Sequence, residues 1–117
     1  MILDFLSKLL GYFKSSELEG NLYPQQGYRG KAEVEIRKRG NVFSVELELK
    51  HSNLSDGSLC EFFVQGHKLG ALQLNGGFGK TRFETQDLNL TSVLKVGAEV
   101  TVQVEGKVVY RGALRYD

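Results

Sequence analysis

Tryptophan is absent from this chain, and cysteine and proline each occur once. The single Cys60 cannot close an internal disulfide, nor can it supply a thiolate cluster for zinc. A reducing compartment is therefore permitted. Without tryptophan, aromatic packing rests on seven Phe and five Tyr. Charge of one sign is also missing: 15 Lys plus Arg against 14 Asp plus Glu leave a net +1, where a dedicated nucleic-acid binder carries a strong basic excess. No apolar run approaches the length of a membrane-spanning helix. The N-terminus makes a poor signal peptide, because Asp4 stands where positive charge is expected and Lys8 interrupts the apolar stretch. Cytoplasmic location is the expectation, with envelope association as the alternative.

What is present is the composition of one soluble globular domain. In 117 residues, 41% are hydrophobic and 25% charged, enough for one core and not two. From Lys31 onward, apolar and polar residues alternate, segment after segment. Ala32-Glu33-Val34-Glu35-Ile36-Arg37 and Phe43-Ser44-Val45-Glu46-Leu47-Glu48-Leu49 are the first two. A period of two places one residue type on each face of a pleated strand, which is the pattern of a half-buried antiparallel sheet. The alternation predicts strands at about 31–38, 42–50, 59–65, 68–74, 80–85, 98–104 and 108–115. Residues 86–97 read as irregular, or as a short helical turn whose Leu88, Leu90, Val93 and Leu94 need burial. A three-residue loop, Glu105-Gly106-Lys107, would align Val104 with Val108, Val102 with Tyr110 and Ala98 with Leu114. Tyr28-Arg29-Gly30-Lys31-Ala32 echoes Tyr110-Arg111-Gly112-Ala113, and the expectation is that these two terminal strands are neighbours.

Residues 1–20 follow a different rule. Ile2, Leu3, Phe5, Leu6, Leu9, Leu10, Tyr12 and Phe13 are apolar, and the polar positions between them recur every three to four residues. This predicts an amphipathic α-helix over 1–18 with a narrow polar stripe. Asp4 and Lys14 stand at the ends that a helix dipole favours. Residues 19–29 then read as a linker or arm, and 30–117 as the β-domain. A helix this apolar must be covered. It packs on its own domain, it self-associates through Leu3, Leu6, Leu10 and Phe13, or it anchors on a membrane surface. The last is the least favoured, because its polar face carries only two lysines.

The fold class expected is all-β: an antiparallel β-sandwich or small barrel of seven to eight strands with one N-terminal amphipathic helix. The run Phe63-Val64-Gln65-Gly66-His67-Lys68-Leu69-Gly70-Ala71-Leu72-Gln73-Leu74 carries a resemblance, together with Gly79, Leu94-Lys95-Val96-Gly97, Val100-Thr101-Val102 and Tyr110-Arg111-Gly112-Ala113-Leu114. The pattern resembles uncharacterised bacterial all-β domains loosely similar to chordin-type (CHRD) domains, over about residues 30–116. That resemblance implies an antiparallel sandwich and no established catalysis. The histidine-containing motif of CHRD domains is not present as such, since only His51 and His67 occur.

Four constellations could carry chemistry. Gly76-Gly77-Phe78-Gly79-Lys80-Thr81 ends like a phosphate-binding loop, but Leu74 stands where the first glycine belongs and a strand follows where a helix is required. A hairpin turn explains it. Cys60 and His67 could form a nucleophile and base, yet no third residue orients the histidine, and a lone cysteine in an apolar strand reads as core. His51, His67 and Asp56 match no metal-ligand spacing. If Gly40-Asn41 is a two-residue turn, Glu35 faces Glu46 and Glu33 faces Glu48, and like charges opposite each other call for cations: Lys31, Arg37, Lys50 or a Ca²⁺ ion. A salt-bridged outer face is the simpler reading.

Arg37-Lys38-Arg39 with Arg29, Lys31, Lys107, Arg111 and Arg115 could form a basic edge interleaved with Tyr28, Tyr110 and Tyr116, for an anionic or carbohydrate ligand. Edge strands use the same residues to prevent aggregation. The function expected is therefore a non-enzymatic binding or assembly module without cofactor, metal or nucleic acid. Its partner is a protein, self or other, met through Leu3, Leu6, Leu10 and Phe13. Tyr28, Arg37 and Arg39 serve the alternative surface ligand.

Overall fold

Alternating segments bury one face each, and the strands here solve that problem by rolling a single sheet around its own apolar side. The computed structural model describes residues 17–117. Among these residues eight strands form: β1 (Glu17–Pro24), β2 (Lys31–Arg39), β3 (Val42–Lys50), β4 (Leu59–Val64), β5 (His67–Gln73), β6 (Gly79–Thr85), β7 (Glu99–Val104) and β8 (Lys107–Tyr116). They make one antiparallel sheet in the order β5-β4-β7-β8-β1-β2-β3-β6. The two edge strands, β5 and β6, curl round to meet each other. The result is a nearly closed barrel.

The seam shows how closure is reached. A side chain at Gly70 of β5 would lie 2.7 Å from the Phe83 ring of β6 and 3.2 Å from Leu47. Glycine leaves room for the Phe83 ring against the β5 backbone, where a Cβ would force the ring to shift. Inside, the inward rows interdigitate: Val34, Val45, Leu47, Leu49, Phe62, Val64, Val100 and Val102 are fully buried. Tyr110 is equally buried. Its hydroxyl hydrogen-bonds the Arg29 carbonyl and lies 2.9 Å from Ser52 Oγ, tying the β1–β2 and β3–β4 loops to β8. Asn53 completes this upper end, accepting from Arg29 N–H at 2.8 Å and donating to the Gly27 carbonyl at 3.2 Å. The lower end carries the turns 40–41 and 65–66, the 86–98 connection and the start of β1.

Several expectations need correction. The helix expected over 1–18, with Leu3, Leu6, Leu10 and Phe13, lies outside the described residues except for Glu17 and Leu18, which are strand. Residues 19–24 of the expected linker also belong to β1, so among the described residues the sheet is already present at Glu17, before residue 30. Leu18, Gly20 and Leu22 point inward between Glu17, Glu19 and Asn21. A glycine in the buried row masked the period of two. The terminal strands β2 and β8 are not neighbours, because β1 is inserted between them and pairs with both. The last hairpin turns on two residues, Glu105 (φ 51°) and Gly106 (φ 80°), so Val104 pairs with Lys107 and a bulge follows. Val102 does face Tyr110. Leu88 is 79% exposed, while Leu90 is buried and Val93 and Leu94 are partly so.

Replacing Tyr110 by Phe keeps the ring and leaves the Arg29 carbonyl without its donor. The expected loss is about 1–2 kcal/mol of unfolding free energy in urea titration. An unchanged midpoint would show that the upper-end latch contributes nothing.

Candidate functional site

The outer face of β8-β1-β2-β3-β6 is where the charged residues gather, and strand register dictates how. The two-residue turn at Gly40-Asn41 sets Glu35 opposite Glu46 and Glu33 opposite Glu48, as the alternation requires. Extending each row through the neighbouring strands gives Arg115–Glu19–Glu35–Glu46–Arg82, a line of three glutamates closed at both ends by arginine. One row down stand Glu17–Arg37–Ser44–Glu84, and one row up Asn21–Glu33–Glu48–Lys80. Side chains meet the repulsion between the glutamates. Arg115 holds Glu19 at 2.7 Å, Arg82 and Lys80 hold Glu46 at 2.8 and 3.0 Å, and Lys31 and Lys50 reach Glu33 at 3.4 and 3.8 Å. The Arg82 hydrogen bond, then that of Lys80, keeps the Glu46 carboxyl below the ordinary carboxylate range.

Within this face a shallow groove of about 310 Å³ is lined by Glu35, Arg37, Arg39, Ser44, Glu46, Arg82 and Glu84. Arg37 and Arg39 make no ion pair with another described residue, whereas Arg82 is engaged by Glu46. Three guanidinium groups stand against three carboxylates, so the groove is polar but carries no net charge. Near it, the carboxylates of Glu19, Glu35 and Asp117 approach within 4.8 Å of one another, with Arg115 already on Glu19.

The other expected site residues are dispersed. Tyr28 lies at the upper end, partly buried, with the Lys107 ammonium 5.4 Å from its ring centre. Arg37 lies six residues down β2 from Lys31, about 20 Å away at the strand rise. Tyr28 therefore shares no surface with Arg37 and Arg39, which line the groove together. Arg111 is paired with Glu99 and Arg115 with Glu19, so the expected basic edge does not form as one field. Tyr110 is interior. Sequence reasoning missed Arg82, Ser44 and Glu84 as groove residues; the alternation of Lys80, Arg82 and Glu84 set them on one face, but nothing in it named β3 as the partner strand.

Cys60 and His67 are also apart. Cys60 is fully buried on β4 and its thiol points to the Ser58 carbonyl at 3.9 Å, while His67 opens β5 at the lower end, exposed. His67 pairs with Val64, four residues along β4 from Cys60, about 13 Å at the strand rise. Burial pushes the Cys60 thiol up to about 11, the reverse of what activates a nucleophile. The phosphate-loop lookalike is a tight turn, in which Asn75 and Phe78 exchange backbone hydrogen bonds at 2.9 and 3.2 Å around Gly76-Gly77. Its Lys80 is committed to Glu46. No protein-family model and no curated protein matches the chain. The likeness to CHRD-type domains accordingly rests on the glycine and apolar pattern alone.

The buried thiol makes a pH prediction. Its folded value of about 11 lies above the 9.0 of an exposed thiol, so it contributes stability that is complete below pH 9 and is lost as pH rises through 11. Burial also raises Tyr110, which adds to the loss above pH 10. Unfolding free energy measured from pH 8 to 11 should fall, and Cys60→Ala should flatten the lower part of that slope. A level profile in the parent protein would contradict the burial of the thiol.

Proposed function

We propose that this chain is a non-enzymatic binding or assembly module, a solid barrel that acts through its surface and through the apolar segment preceding β1. The observation that carries this reading is the filled interior. Small β-barrels that act on small molecules keep a cavity among their inward residues, whereas here Tyr110, Phe62, Leu22, Leu47, Leu49 and Leu74 occupy that space and are almost wholly shielded from solvent. The buried Cys60 and the dispersed histidines supply no nucleophile and base among the described residues. Contact must then be made outside.

Ile2, Leu3, Phe5, Leu6, Leu9, Leu10, Tyr12 and Phe13 are the densest apolar stretch of the sequence, and the barrel takes up the chain directly after it. Burying several leucine and phenylalanine side chains is worth about 1.5–3 kcal/mol each, which drives the segment onto folded protein. That protein is its own barrel or that of another copy.

The test is Leu6→Glu with Leu10→Glu in the full chain, followed by light scattering and thermal unfolding. A lower oligomeric state or a drop of several degrees in Tm supports the reading. Unchanged mass and Tm would overturn it, as would vesicle flotation showing that the segment's sole contact is lipid.

A further inference from the structure

The lower mouth of the barrel offers a place for that segment. The inward rows of β1, β2 and β3 reach this end at Leu18, Ile36 and Phe43, all buried. On β8 the inward row continues past Leu114 to Tyr116, which pairs with Leu18 and is 61% exposed at the rim. The 86–98 connection crosses the same end. Leu90 plugs it from within, Val93 and Leu94 pack against the core, and Leu88 and Val96 face outward. A hydrogen bond from Gly97 N–H to the Leu114 carbonyl, 2.8 Å, fixes Val96 beside the end of β8. Leu88, Val96 and Tyr116 thus expose apolar surface at the one end of the barrel where the chain enters β1.

We propose that residues 2–13 of the same chain dock on this mouth, in cis, against Leu88, Val96 and Tyr116. The proposal rests on reading the N-terminal segment as the packing element. It adds the receptor surface and the choice of cis over trans. Two observations argue for it. Phe13 lies four residues before Glu17, so even a fully extended chain keeps it within about 14 Å of the strand that carries Leu18 and abuts Tyr116. A tether this short holds the segment at an effective concentration in the millimolar range or above, against which a second copy competes poorly. The surface also matches in chemistry: leucine, valine and tyrosine on the rim for leucine, isoleucine and phenylalanine in the segment. The upper end has Phe78 and Leu59 exposed as well, but its loops are already tied by Tyr110, Ser52 and Asn53, and the segment's tether lies at the opposite end.

Cysteine cross-linking in the full chain tests this. Leu6→Cys, whose longer tether reaches either end of the barrel when undocked, is combined with Tyr116→Cys at the mouth or, as a control, with Phe78→Cys at the upper end; buried Cys60 is left in place. Mild oxidation should give an intramolecular disulfide in the mouth pair, in a yield unchanged on about tenfold dilution, and none in the control pair. An interchain disulfide that disappears on dilution would overturn docking in cis while leaving the segment as an assembly element. No cross-link of either kind, with the segment protected only by added vesicles, would overturn both. If the cysteine variants fold poorly, NMR of the Leu6→Glu, Leu10→Glu chain decides: signals of Leu88, Val96 and Tyr116 should shift relative to the parent while Val34 and Leu47 stay in place. Unmoved rim signals would contradict the proposal.

Discussion

Closure of one sheet upon itself is the constraint on which the rest of this structure depends. Eight strands with one apolar face each can bury those faces by stacking as two sheets or by rolling as one. Here β5 and β6 approach closely enough for Phe83 to lie against Gly70, and rolling becomes the available solution. Once the roll is made, the inward rows meet across the axis and fill it. An alanine at position 70 would require the Phe83 ring and Leu47 to shift, so the seam as it stands depends on glycine there.

The roll also decides the outer face. With β1 inserted between β8 and β2, the glutamates of three adjacent strands come into line, and each end of the line falls beside an arginine. Exposed ion pairs of this kind are worth little singly. Their effect is to make an otherwise repulsive register tolerable, and register in turn keeps every apolar side chain on the inner face. The charged face is thus a condition of the fold before it is a surface for anything else, which is why its groove has no net charge to offer a ligand.

Much of this was legible in the residues. The alternation marked seven of the strands, the Gly40-Asn41 turn predicted the facing glutamates, and Cys60 read correctly as core. What escaped has physical reasons. Gly20 interrupts the apolar row of β1, so a strand looked like a linker, and the neighbour relation of β8 changed with it. The pairing of β3 with β6 is a contact between segments nearly thirty residues apart in sequence, and local periodicity carries no information about it; the Glu46–Arg82 pair and the groove depend on that contact. The choice of a two-residue turn at Glu105-Gly106 rests on a positive φ at a glutamate, which composition does not announce. Tyr28 is alike in chemistry to Arg37 and Arg39 as a surface for an anionic ligand, but the length of β2 separates it from both.

The proposed role as a binding or assembly module rests on a barrel with a filled axis, a self-compensated outer face and tied upper loops. The filled axis on which this depends can be measured directly. Under xenon pressure, NMR of the methyl groups of Val34, Leu47, Leu72 and Leu114 reports any void that a small apolar guest can enter. With the axis filled, those signals should show no saturable shift. A saturable shift of the interior methyls would reveal a cavity, and with it a binding function inside the barrel instead of on its surface.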